Sequence, residues 1–270
     1  MGLVKEMLLS DKRSRIEEWI RSRAMATPMP NGDTLCRVLG EHPMVVTLKD
    51  HSIAPHLVMH GYWEMWVTIC LAKRIMPTWN CIDVGANFGY YTLLLADLAH
   101  QGRVEAWEPQ QSLYRRLDLT LRLSGFAPRV HVMNGGAGAK QEMRALTHEF
   151  NDYGGASLVL PDPGEGEGDI TVWPLSKTIL PRVDFVKIDA EGMEPEVWEG
   201  LGDIRPQAAV IEWSPLKYED PAGFLSTLKS QGYSVGRIDQ HGNVVAVSEG
   251  AERELIEIKG WEALWLERQA

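Results

Sequence analysis

The stretch CIDVGANFGYYT, residues 81–92, contains the pattern that decides the fold. An apolar run ends in an aspartate and then passes through Gly85 and Gly89 into a segment with helical character. Glycine has no Cβ, so a ligand can approach the backbone of such a turn closely. The helix predicted from about Tyr90 presents unpaired N–H groups at its start. The stretch therefore predicts a strand–turn–helix unit whose turn binds a small molecule.

Downstream of this stretch, short apolar runs alternate with helical segments. The runs are VEAW (104–107), RVHVM (129–133), VDFVKI (183–188) and AAVIEW (208–213). Such alternation builds βαβ units and predicts an α/β fold, with a Rossmann-like, largely parallel sheet and helices on both faces. YSVGRID and NVVAVS flank a turn and predict a C-terminal antiparallel hairpin. Residues 1–60 are expected to form an N-terminal extension, a helical arm with short strands, and residues 61–270 the main domain.

Composition excludes several classes of protein. The 270 residues include 27 Lys+Arg and 37 Asp+Glu, a net charge of −10, which argues against a nucleic-acid binder. Cys36, Cys70 and Cys81 form no CxxC pair, so neither a zinc site nor a disulfide framework is indicated. No uninterrupted apolar run is long enough to cross a bilayer, and we expect a cytoplasmic protein without membrane insertion.

The spacing D-x-G-x-x-x-G from Asp83 to Gly89 favours S-adenosylmethionine (SAM) over a dinucleotide. Dinucleotide sites use G-x-G-x-x-G, whereas here Phe88 stands where a diphosphate would approach the backbone. Glu108 follows the second predicted strand, 108 − 89 = 19 residues beyond Gly89, where an acid accepts hydrogen bonds from a ribose diol. A nicotinamide-dependent oxidoreductase would also want that acid and stays the alternative.

Three stretches together resemble the FkbM family of SAM-dependent methyltransferases. They are IDVGANFGYYTLLLA (82–96), VEAWEP (104–109) and, most specifically, VDFVKIDAEGMEPEVWEGL (183–201). Shorter similarities are GYWE (61–64), NDYGGASL (151–158) and VIEWSP (210–215). The resemblance implies a class I methyltransferase domain over residues 61–270, and O-methylation of hydroxyl groups, often on sugars or secondary metabolites.

The resemblance also implies which residues hold SAM. The Gly-rich turn would hold the methionine end, the second strand end the ribose, the turn after the third strand the adenine, and the fourth strand end would lie beside the methyl group. The Gly-rich turn supplies Asp83, Gly85, Ala86, Asn87 and Gly89, and the second strand end supplies Glu108 and Pro109. The turn after the third strand supplies Asn134, Gly135, Gly136 and Ala137, and the fourth strand end supplies Asp189.

A hydroxyl acceptor must lose a proton, so the site needs a base. The candidates are Asp189, Glu191, Glu194 and Glu212 near the strand ends, with His56 and His60 in the loop predicted over 51–60. Glu191 is equally well explained as an acid at a helix N-terminus. Asp189, Glu191 and Glu212 could also converge as oxygen ligands of a divalent metal, although a metal is not expected.

The sequence thus predicts a SAM-dependent O-methyltransferase acting on a small-molecule or sugar-containing hydroxyl acceptor, in natural-product or glycan biosynthesis. A SAM-binding module without catalysis is a further alternative. The N-terminal helical arm suggests a homodimer.

Overall fold

The computed structural model describes residues 3–10, 12–147, 155–159, 169–248 and 250–269. The strands are β1 Ala26–Pro28, β2 Thr34–Val38, β3 His42–Val46, β4 Cys81–Val84, β5 Val104–Trp107, β6 Val130–Met133, β7 Gly136–Ala137, β8 Glu142–Thr147, β9 Ser157–Val159, β10 Asp169–Trp173, β11 Phe185–Ile188, β12 Ala208–Trp213, β13 Tyr233–Ile238, β14 Val244–Ala246 and β15 Glu262–Arg268. The α-helices are α1 Leu3–Ser10, α2 Arg13–Arg21, α3 Ala54–His60, α4 Met65–Arg74, α5 Tyr90–Leu98, α6 Gln111–Leu123, α7 Glu194–Glu199, α8 Pro221–Ser230 and α9 Glu252–Ile256. Short 3₁₀ turns lie at Leu175–Lys177 and Pro215–Lys217.

The central sheet has eight strands in the order β14-β13-β15-β12-β11-β4-β5-β6 among the described residues. The neighbours from β12 to β6 are parallel, which confirms the predicted α/β sheet. β13 and β14 form the predicted antiparallel hairpin. The sequence analysis did not predict β15, which lies antiparallel between β12 and β13.

Alternate residues of the central strands enter two separate hydrophobic cores. On β11, Phe185 belongs to the core that contains Leu71 of α4 and Leu93 of α5. Its neighbour Val186 belongs to the core on the other face, with Val197 of α7. Strands covered on both faces need apolar side chains in both directions, which explains the continuous apolar runs in the sequence.

The described part of the predicted extension, residues 1–60, forms α1, α2, an antiparallel sheet in the order β1-β2-β3, and α3. Val4 of α1 and Ile20 of α2 are buried in the same core as Leu93. The helical arm therefore packs against the central sheet's helices, while the domain boundary at residue 60 and the homodimer stay predictions. None of the described helices combines the length and the apolar character needed to cross a membrane.

A second sheet, in the order β7-β10-β8-β9, was also missed by the sequence analysis. β7 has only two residues and lies within the glycine-rich stretch after β6, so no apolar run announces it. A Cβ on Gly136 would lie 2.4 Å from Cδ1 of Leu158. This close contact packs β9 against β7 within the second sheet, and because β7 follows directly after β6, the second sheet begins beside the carboxyl end of the central sheet.

Strand order reverses between β4 and β11, since β5 and β6 lie on one side and β12 on the other. Ligands of open α/β sheets bind at such a reversal, beyond the carboxyl ends of the strands. The two strand ends touch here: the N–H of Asp189 donates to the carbonyl of Val84 at 3.2 Å. Gly85 has φ +74°, and a Cβ on it would lie 1.8 Å from the carbonyl oxygen of Asp189.

We expect Gly85→Ala to destabilise the protein well beyond the cost of its backbone conformation. Gly125→Ala is the matched control, because Gly125 has φ +78° but open space around its missing Cβ. The control should cost about 1–2 kcal/mol of unfolding free energy in urea, and Gly85→Ala clearly more. Equal losses for the two variants would contradict the close contact at the switch point.

Candidate active site

A cavity of about 550 Å³ opens at the carboxyl ends of β4, β5, β11 and β12. The segment before α4 and the second sheet complete its wall, through residues such as Glu64 and Leu158. The predicted site residues that line it are Gly85, Asn87, Glu108, Pro109, Gly135, Gly136, Ala137, Asp189, Glu191 and Glu212. The predicted residues outside the lining are Asp83, Ala86, Gly89, Asn134, His56 and His60.

Glu108 is buried at the end of β5 and is held in place by two backbone donors. Its Oε2 accepts from the N–H of Asn87 and its Oε1 from the N–H of Gln110, both at 2.8 Å. Burial raises the pKa of Glu108 to about 7, although these two N–H groups work in the opposite direction. A carboxylate has about four acceptor positions, so two remain for a diol in the cavity.

Asp83 lies beneath the Gly-rich turn and does not reach the cavity. It is 1% exposed, and its Oδ2 accepts from Oγ1 of Thr92 at 2.6 Å. Burial raises its pKa, while the charge of Lys187 and the Thr92 hydrogen bond oppose that rise. Asp83 therefore lies within electrostatic range of the buried cation Lys187, and its assignment to the methionine end of SAM stays a prediction.

Two further predicted residues act behind the cavity wall. A Cβ on Gly89 would lie 2.3 Å from Cδ1 of Leu117, so this glycine allows α5 to pack against α6. The side-chain amide of Asn134 donates to the carbonyls of Glu108 at 3.0 Å and Pro109 at 3.2 Å. Asn134 thus fixes the loop that carries Glu108, and the neighbouring Gly135 to Ala137 face the cavity instead.

A cluster of three acids lies at the other end of the sheet's carboxyl edge from Glu108: Asp189, Glu191 and Glu212. One carboxylate oxygen from each of them lies within 4.8 Å of the other two. Nζ of the buried Lys187 lies 3.0 Å from Oδ2 of Asp189, and Lys217 pairs with Glu191. Burial and the neighbouring Asp189 raise the pKa of Glu212 far above its usual range. Burial also works against the charge of Asp189, but Lys187 and a hydrogen bond with Glu212 lower its pKa overall. These opposite directions favour the carboxylate form of Asp189 and the protonated form of Glu212.

The same three acids satisfy the distance requirement for a divalent cation, and carboxylate oxygens suit Mg²⁺ or Ca²⁺. The cluster is nevertheless balanced by groups of the chain itself. Lys187 and Lys217 offset Asp189 and Glu191, and a proton neutralises Glu212. A divalent cation would have to displace that proton.

The two histidines lie on α3, and the loop predicted over 51–60 was wrong because a helix begins at Ala54. The rings of His56 and His60 are 4.5 Å apart, and Nδ1 of His60 accepts from Nε of Arg21 at 3.2 Å. The ring of His56 packs at 5.3 Å against Trp63, which lines the cavity. The histidines thus stand one layer behind the wall.

Several cavity residues were not assigned to the site from the sequence. Glu64, Lys217 and Trp261 all line the cavity. Glu64 ends the GYWE stretch, which was noted only as a similarity, so its position before a helix was an available signal. Trp261 precedes the unpredicted β15, and no sequence signal pointed to it.

The sequence and the fold of this chain are similar to those of known proteins. The family model described as the methyltransferase FkbM domain matches residues 83–235. The AMB antimetabolite synthetase AmbE of Pseudomonas aeruginosa is 26% identical in an alignment 217 residues long. That alignment covers 63% of this chain and 10% of AmbE. A solved structure of methyltransferase FkbM from Methylobacillus flagellatus KT is 19% identical, with a TM-score of 0.48 and coverage of 72% of this chain and 44% of that one. An O-methyltransferase from Bacillus cereus in complex with SAH is 15% identical, with a TM-score of 0.47 and coverage of 79% and 84%. The chain thus spans about a tenth of AmbE and less than half of the M. flagellatus protein.

The protonation of Glu212 predicts a pH dependence of stability that Glu212→Gln removes. In the folded state Glu212 keeps a proton that it releases in the unfolded chain above the ordinary glutamate pKa of 4.5. The unfolding free energy of the wild type therefore falls as pH rises from that value towards the raised pKa, by at most about 1.4 kcal/mol per pH unit. Glutamine is neutral, so in urea titrations from about pH 5 to 9 the variant should gain stability relative to the wild type.

The exposed Glu199 supplies a control, since Glu199→Gln should give a curve parallel to that of the wild type. Parallel curves for Glu212→Gln as well would show that Glu212 is ionised in the folded protein. A rise in Tm with MgCl₂ that Glu212→Gln abolishes would indicate a metal site in place of the shared proton.

Proposed function

The chain belongs to the FkbM family of methyltransferases, and we propose that it transfers the methyl group of SAM to a hydroxyl oxygen. The proposed acceptor is a small or sugar-containing molecule of natural-product or glycan type. One observation carries the proposal: a single cavity joins Glu108, a carboxylate with free acceptor positions, to the ionised Asp189. A nucleoside and a hydroxyl group can therefore be bound along one edge of the sheet.

The charges in the cavity support SAM over a dinucleotide. Among the described lining residues, Lys187 pairs with Asp189 and Lys217 with Glu191, and the raised pKa of Glu212 favours its neutral form. Glu64 and Glu108 are the described acids of the lining that no lysine pairs with. A pyrophosphate carries two negative charges and would be repelled by such a wall, whereas a sulfonium nucleoside is attracted. Gly85 and residues 135–137 line the cavity beside Glu108, where the nucleoside would be bound.

Asp189 is the residue best suited to accept the proton of the acceptor hydroxyl. Lys187 and a hydrogen bond with Glu212 lower its pKa and so favour the carboxylate form. Glu191 is also paired with a lysine, Lys217, but lies two residues farther from the end of β11. When bound, SAM supplies an electrophilic methyl carbon on a positively charged sulfur. A well-placed base contributes about 10²–10⁴-fold in rate, and the alignment of two bound reactants about 7–11 kcal/mol.

Aromatic rings at the cavity support a sugar-containing acceptor. Trp63 and Trp261 both line it, and Trp261 is 45% exposed. The ring of Trp261 stacks on Trp66 with centroids 6.4 Å apart, and Arg13 lies over Trp66. Indole faces pack well against the apolar faces of sugar rings while their edges stay in water.

We expect Asp189→Asn to lower the rate of methyl transfer about 10²–10⁴-fold. The measurement is transfer of tritiated methyl from SAM to a panel of methyl glycosides, uronic acids and phenols, with the product tested for stability in mild alkali. Methyl ethers survive that treatment and methyl esters do not. The exposed Asp203 offers the control Asp203→Asn, which should match the wild type.

Two results would contradict the proposal: an alkali-labile product, or an unchanged rate in Asp189→Asn. SAM binding without any labelled product across the panel would favour a non-catalytic module.

A further inference from the structure

Glu64 occupies an unusual backbone position at the wall of the cavity. It precedes α4 with φ +34° and ψ +66°, in the left-handed region that non-glycine residues rarely adopt. Its carbonyl accepts from the N–H of Thr68 at 3.0 Å and so begins the helix. Strain of this kind is retained where the surrounding structure holds a side chain in a required place.

The carboxylate of Glu64 is oriented by a phenol and has no basic side chain at ion-pair distance among the described residues. The hydroxyl of the buried Tyr91 donates to its Oε2 at 2.5 Å. Nζ of Lys187 lies over the Tyr91 ring, 4.6 Å from the centroid, and pairs with Asp189 instead. Burial raises the pKa of Glu64 to about 7, and a cation from a ligand would offset that cost of desolvation.

The place of Glu64 fits the amino-acid end of the proposed cofactor. A nucleoside bound at Glu108 directs its 5′ substituent over Gly85 towards the crevice between β4 and β11. Glu64 lines the cavity there and lies within electrostatic range of Lys187 and Asp189. Asp83, the acid expected at the methionine end, is buried beneath the turn.

We infer that Glu64, oriented by Tyr91, binds the α-ammonium group of the methionine part of SAM. The inference rests on the proposed function, because it assigns one more residue to the same cofactor. It makes Glu64 the group that distinguishes nucleosides carrying an amino acid from those that lack one.

The test compares two nucleosides by calorimetry on the full chain. S-Adenosylhomocysteine carries the ammonium group, and 5′-methylthioadenosine lacks the amino acid. Glu64→Gln should weaken S-adenosylhomocysteine binding about tenfold or more, the loss expected for a charge-assisted hydrogen bond, and leave methylthioadenosine binding unchanged. The exposed Glu219 gives the control Glu219→Gln, which should bind both as the wild type does.

Glu64→Gly is a second variant, because glycine adopts the left-handed conformation without strain and should fold. It should show the same selective loss. An equal loss for both nucleosides, or no loss for S-adenosylhomocysteine, would overturn the role of Glu64 alone. A wild-type protein that binds neither nucleoside would overturn the proposed function along with it.

Discussion

The close contact between the turn after β4 and the end of β11 is the constraint on which the site depends. Gly85 leaves no room for a Cβ beside the carbonyl of Asp189. This contact closes the sheet at the point where strand order reverses, and it brings the Gly-rich turn and the acid cluster to one edge. A larger residue at position 85 would force the turn after β4 away from the end of β11.

A buried lysine organises the charges on both sides of that contact. Lys187, on β11, is 4% exposed and faces Asp83 beneath the turn and Asp189 in the cavity. Burial works against its charge, but the two aspartates outweigh burial and raise the pKa of Lys187. The lysine in turn keeps Asp189 ionised while Glu212 holds a proton. The pKa values of these two neighbouring acids are thus pushed apart, which is common at functional sites.

Sequence reasoning located the strand ends well because parallel strands are continuous apolar runs that stop at a polar residue. Glu108 and Asp189 were found in this way, and both line the cavity. Spacing does not tell whether a side chain points into a cavity or beneath a turn, so the sequence did not show that Asp83 is buried beneath the turn or that Gly89 lies against Leu117 of α6. The residues that close the cavity from a distance in sequence, Glu64 and Trp261, needed the assembled fold, as did β15 and the short β7.

We propose that SAM binds with its ribose at Glu108. The most direct test is calorimetry of the wild type, Glu105→Gln and Glu108→Gln. Glu105 and Glu108 are both buried glutamates of the same strand segment, and each accepts from a backbone N–H, but only Glu108 lines the cavity. We expect the wild type and Glu105→Gln to bind SAM and not NAD, and Glu108→Gln to bind SAM about tenfold or more weakly than the wild type does. Binding of NAD in place of SAM, or equal SAM affinity in Glu108→Gln and the wild type, would contradict it.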